Sequence, residues 1–260
     1  MPVPAGDHAQ PHVLIVGGFA TVPPNYWPMA RRVAARADRV IIASIWTPDW
    51  AIASVLGFGP LMRRARRAIV SAYNEGGGRP LMVIAHSGGG LAARLAMSPV
   101  PFNGREGGVA DAVGCLVTLG TPHGLARLSN RYRHAGHEAA AFLDREAPGA
   151  FFAPRTRYVT VGSGFQEDAF SGRVGRLADQ FFSIVVGEET GTTGDGIVPA
   201  AAVHLDGAEQ MTLDGVRHGM IGSPWYGDEQ VIEQWWPTAV RLWREALATR
   251  AAEPSEAAAL

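Results

Sequence analysis

The 260-residue chain predicts an α/β domain: a mostly parallel sheet with helices on both faces. Two observations carry this. Short runs that are apolar throughout recur along the chain, as strands buried on both faces require. Segments with apolar residues at helical spacing lie between them, as crossover connections require.

The first run is Val13 to Val16, closed by Gly17-Gly18. Trp27 to Ala37 then has helical period. Val40 to Ile45 reads as the second strand and Leu61 to Tyr73 as the next helix. In that helix Arg63, Arg64, Arg66 and Arg67 alternate with Leu61, Ala65, Ala68 and Ile69, the pattern of a solvated face over a buried one. Leu81 to Ala85 is the third strand, with a helix to Met97 behind it. Cys115 to Leu119 and Tyr158 to Val161 are further strands, and Gln210 to Leu213 the last. Val231 to Leu247 reads as the closing helix. Residues 125–155 interrupt the rhythm with a predicted helix from Glu138 to Glu146, and read as a short cap insertion. The expected organisation is a flexible N-terminus over 1–11, one domain over 12–247 and a frayed tail over 248–260.

Composition narrows the function. The formal net charge is −1, which argues against a general nucleic-acid binder. The one cysteine, Cys115, lies in an apolar run and cannot form an internal disulfide. No stretch approaches the ~18 apolar residues of a membrane span, and the N-terminus lacks a signal pattern. The expectation is a cytoplasmic protein without a metal or other cofactor: no Cys/His spacing resembles a zinc site.

The most informative segment is Ala85-His86-Ser87-Gly88-Gly89. A serine between an apolar strand and a helix sits on a tight turn that projects its hydroxyl above the sheet. Such a turn tolerates only small residues two places before and two places after, and Ala85 and Gly89 are small. The helix start aims N–H groups at a developing oxyanion. A serine nucleophile also needs a base and an orienting acid. His218, between Arg217 and Gly219 after the last strand, is the candidate base. Asp195, in Gly194-Asp195-Gly196-Ile197-Val198-Pro199, is the candidate acid, with Asp168 as its rival. His204 reads as structural. Phe19 and Gly88 are the candidate oxyanion donors. Trp46, Trp50 and His123 stand just beyond strand ends, where an apolar pocket is expected. His123 is read as structural before catalytic, and His86 as holding the elbow in place.

These segments, with Thr121-Pro122-His123-Gly124, occur in an order that resembles the α/β-hydrolase superfamily, in its bacterial lipase and inositol-deacylase-like branch. Gly17, where many lipases have histidine, and Ala85, where the elbow glycine is usual, depart from it. The resemblance implies an α/β-hydrolase fold and a carboxylic-ester hydrolase acting on small-molecule or lipid-like esters through Ser87, His218 and Asp195. Acyl transfer or thioester cleavage by the same residues is the alternative. A non-catalytic ligand-binding protein of that fold is the rival from another class.

Overall fold

The computed structural model describes residues 10–127, 135–164, 193–220 and 224–253. Among these residues six strands form one sheet: β1 (His12–Val16), β2 (Arg39–Ile42), β3 (Leu81–His86), β4 (Val113–Leu119), β5 (Arg157–Ser163) and β6 (Glu209–Leu213). Their spatial order is β2-β1-β3-β4-β5-β6, and every neighbouring pair is parallel. Their carboxyl ends therefore all open on one side.

The period of two along each strand feeds two separate cores. Leu14, Val16, Leu81, Val83, Ala85 and Leu116 point to one face. There they meet α3 (Gly59–Glu75), α4 (Gly88–Met97) and α5 (Ala135–Glu146). Val13, Ile15, Met82, Ile84, Cys115 and Val117 point to the other. There they meet α1 (Trp27–Ala34) and the long closing helix, Glu229–Ala252. Continuous apolar strands are thus the direct cause of the two-sided covering. Trp235 and Trp243 of the closing helix are fully buried, and each donates its indole N–H to a backbone carbonyl, of Tyr226 and Pro80 respectively.

Several boundaries differ from expectation. β2 stops at Ile42, because the chain turns there: Ala43 still pairs with Ile15, but Ile45 donates back to Ala43. A helix that the pattern did not announce, α2 (Thr47–Leu56), follows. The closing helix continues to Ala252, past the boundary expected at 247. Arg250 holds it there, donating to the carbonyls of Arg155 and Val113. Only part of the expected cap lies among the described residues. Of that part, α5 packs on α4 and α2 through Ala139, Ala140 and Leu143. Among the described residues no helix is long and apolar enough to cross a membrane, and no cluster of side chains could hold a metal ion.

Candidate active site

β3 ends at His86, and Ser87 caps α4 with φ 54° and ψ −134°. A left-handed serine is strained, and the surrounding contacts hold it. Its N–H donates to Leu119 O at 2.9 Å, and its carbonyl accepts from Thr121 Oγ1 at 2.9 Å. The small-residue rule at the elbow has a plain steric cause. A Cβ on Gly89 would strike the carbonyl oxygens of Gly17 and Val16, so α4 can approach β1 only with glycine there.

Two loops from the distal edge bring the other groups. Asp195 lies in the turn before the short helix α6 (Ala200–Val203), and His218 follows β6. His218 Nε2 is 2.9 Å from Ser87 Oγ, and its Nδ1 is 2.7 Å from Asp195 Oδ2. Facing a carboxylate, Nδ1 carries the proton, which leaves Nε2 to accept from the serine hydroxyl. The backbone closes the same link, since His218 N donates to Asp195 O at 2.8 Å. The three candidates picked from the sequence thus meet in one hydrogen-bonded chain. The rival Asp168 lies outside the described residues.

Asp195 is fully buried. Burial by itself would raise its pKa. The opposing pull of His218, with N–H donors from Val198 at 2.7 Å and Ile197 at 3.1 Å, outweighs that and holds the carboxyl below its ordinary value. A fourth donor escaped the sequence reading. Tyr226 gives its hydroxyl proton to Asp195 Oδ2 at 2.9 Å, and its own pKa is pushed well up by burial and by the carboxylate. Only a phenol between Trp225 and Gly227 marks it in the sequence.

His86 lies beneath His218, their ring centroids 4.7 Å apart. Its Nε2 is 3.0 Å from His218 O and its Nδ1 is 2.8 Å from Tyr26 OH. Burial, then repulsion from His218, lowers its pKa to about 3, so it is neutral at neutral pH. This is the supporting place expected for it. His204 is tied to Thr160 and Thr212, away from the triad candidates.

Above Ser87 runs the loop after β1. A Cβ on Gly18 would stand 2.6 Å from Ser87 Cβ, so loop and serine touch. Gly18 N–H donates to Tyr26 OH at 2.8 Å and so faces away from any substrate. Phe19, half-exposed, sets its ring edge-on to Trp50 at 5.8 Å. Trp50 is buried against the elbow, where a Cβ on Gly88 would lie 3.2 Å from its ring. Phe58 packs edge-on behind it. Of the three expected pocket residues, only Trp50 reaches the elbow in this way. Trp46 is an exposed cap of α2 with its indole N–H on Ser44 Oγ. His123 is fully buried, with Nε2 on Thr118 Oγ1 at 3.0 Å and Nδ1 facing Arg94 at 3.3 Å. Both ring nitrogens face partners that join α4 to β4, and the side chain has no exposed surface.

No protein-family model matches the sequence, and no curated protein matches it. Solved structures do. A lipase of Bacillus licheniformis in its mature form superposes with a TM-score of 0.58 at 18% identity, over 92% of this chain and 96% of that one. The phospholipase PlaB of Legionella pneumophila, in complex with thio-NAD, gives 0.53 at 16% identity over 90% of this chain. This chain spans 57% of that phospholipase. The parallel sheet, the elbow after β3 and these likenesses define the chain as an α/β-hydrolase-fold protein.

Proposed function

We propose that this protein is a serine carboxylic-ester hydrolase. The observation that carries the reading is the hydrogen-bonded chain from Ser87 through His218 to Asp195 at 2.9 and 2.7 Å. Ser87 Oγ attacks the ester carbonyl while His218 Nε2 takes its proton. Asp195 stabilises the imidazolium that forms. The oxyanion is held by the N–H groups of Gly88, at the start of α4, and Phe19. The imidazolium then gives its proton to the leaving alcohol oxygen, and an acyl-serine remains. Water attacks that acyl group, losing its proton to His218, which returns it to Ser87 Oγ as the carboxylic acid departs.

Phe19 is assigned over its neighbour because Gly18 N–H is already bonded to Tyr26. The aromatic wall of Phe19, Trp50 and Phe58 supports an apolar acyl group on the substrate. The lipase and phospholipase neighbours agree with ester chemistry. The test is labelling with a fluorophosphonate at neutral pH, followed by peptide mass spectrometry. The expected result is one modified serine, Ser87. A folded protein that takes no label, or takes it elsewhere, refutes the reading.

A further inference from the structure

Four polar groups around the elbow form a second chain that the reaction scheme does not use. His86 Nε2 faces a carbonyl, His218 O, and a carbonyl only accepts; Nε2 therefore carries the ring's single proton. His86 Nδ1 is then an acceptor, and Tyr26 must give it the phenol proton, at 2.8 Å. With that proton committed, Tyr26 oxygen accepts from Gly18 N–H at 2.8 Å. Thr21 Oγ1 also lies 3.3 Å from the Tyr26 oxygen, but its single proton goes to the nearer acceptor, Gly18 O at 2.6 Å, so His86, Tyr26 and Gly18 N–H each keep one role. Tyr26 and His86 are nearly fully buried, so no water competes for these bonds.

The next peptide completes the picture. Gly18 O accepts from Thr21 Oγ1 at 2.6 Å. Gly18 C=O and Phe19 N–H belong to one planar trans unit and point in opposite directions. Tyr26 fixes the amide on one side of Gly18 and Thr21 fixes the carbonyl on the other, so the direction of Phe19 N–H is set. Ala20 just beyond is held at φ 57°, a conformation alanine does not adopt without such restraint.

We propose that Tyr26 and His86 are a positioning pair that fixes the oxyanion-binding peptide of Phe19 relative to the backbone of His218. This rests on the ester-hydrolase reading. Neither side chain touches substrate. The pair couples a loop after β1 to a loop after β6, across groups 60 and 132 residues apart in sequence. A lost link lets the donor drift from where the oxyanion forms while substrate still binds. The effect therefore falls on kcat and not on KM.

The experiment uses the full chain and p-nitrophenyl butyrate, with active sites counted by fluorophosphonate titration taken to completion. Tyr26→Phe removes the phenol from His86, Gly18 and Thr21 alike. His86→Leu removes both the donor to His218 O and the acceptor for Tyr26. Each is expected to lower kcat by roughly ten-fold or more, with KM within about two-fold of wild type. Both break the same link, so the double variant should be no worse than about the poorer single one. Thr21→Val, at a half-buried position, should lower kcat in the same way and decides the matter if either buried variant fails to fold. An active wild type with kcat unchanged in the folded variants, or losses that multiply in the double variant, overturns the proposal alone. A wild type inert to both ester and probe overturns the hydrolase reading, and this proposal with it.

Discussion

Replacing His86 by glutamine should flatten the acid limb of the protein's stability curve. In the folded state His86 has its pKa lowered from 6.5 to about 3, first by burial and then by repulsion from His218. In the unfolded chain it returns to about 6.5. Between these values the unfolded state binds a proton that the folded state refuses. Stability therefore rises with pH across this window, is complete above about 6.5 and is lost as pH falls toward 3. Each unit within the window is worth about 1.4 kcal/mol. From about pH 7.5 to about pH 4.5 the sum is on the order of 2.5 kcal/mol. Asp195, also lowered on folding, acts in the same direction, but it is present in both proteins and cancels. The assay is urea unfolding followed by circular dichroism at a series of pH values. Glutamine should cost about 1–3 kcal/mol at neutral pH through lost hydrogen bonds. That gap should narrow steadily toward acid. Parallel pH curves for the two proteins would show that His86 is not held neutral, and would refute the proton assignment on which the Tyr26 link depends.

Other outcomes follow from the same geometry. Ser87→Ala should lower ester turnover by about three or more decades and abolish fluorophosphonate labelling, as loss of a nucleophile commonly does. Asp195→Asn should lose at least roughly two decades while circular dichroism shows an intact fold, because the amide favours the wrong imidazole tautomer; a loss under about ten-fold would move the acid elsewhere. Along a series of nitrophenyl esters kcat/KM should rise by about four-fold per methylene, at about 0.8 kcal/mol each, then fall once the wall of Phe19, Trp50 and Phe58 is covered. A steep jump above the solubility limit of a long-chain ester would contradict this. Gly89→Ala should destabilise by about 1–3 kcal/mol in urea melts, since its methyl meets the carbonyls of Gly17 and Val16.

Strands and triad candidates were legible in the sequence for one physical reason: both are local. An apolar run such as Leu81 to Ala85 can be buried on two faces only as a strand, and a serine in the tight turn after it announces itself by small neighbours. Gly194-Asp195-Gly196 and His218 are marked by glycine and by place in the chain order. What was not legible depends on contacts between distant segments. Tyr226 meets Asp195 across 31 residues, and no pattern in Pro224-Trp225-Tyr226-Gly227 foretells it. α2 escaped because Trp50, Ala53, Ile52, Val55 and Leu56 spread apolar side chains around the helix, buried and exposed alike, leaving no stripe to read. Trp46 and Trp50 were grouped by type, whereas the helix sends one to solvent and the other under the elbow. His123 sits at a strand end as expected, but its ring turns inward because Arg94 and Thr118 offer it partners there.

The position of β6 has a bearing on how the protein fails under heat. Among the described residues β6 is the outer strand of the sheet, paired only to β5, and of its five residues only Leu213 is buried. Asp195 lies ahead of α6 in the connection that leads into this strand and His218 follows it, whereas Ser87 leaves the inner strand β3. A margin that is thinly buried opens at lower cost than the middle of a sheet. When it opens, two of the three proposed catalytic groups leave together and the nucleophile stays behind on an intact scaffold. Warming should therefore silence the proposed ester hydrolysis at temperatures where far-ultraviolet dichroism still reports a full complement of helix. Cooling should restore it, because the serine that the returning groups must find has not moved.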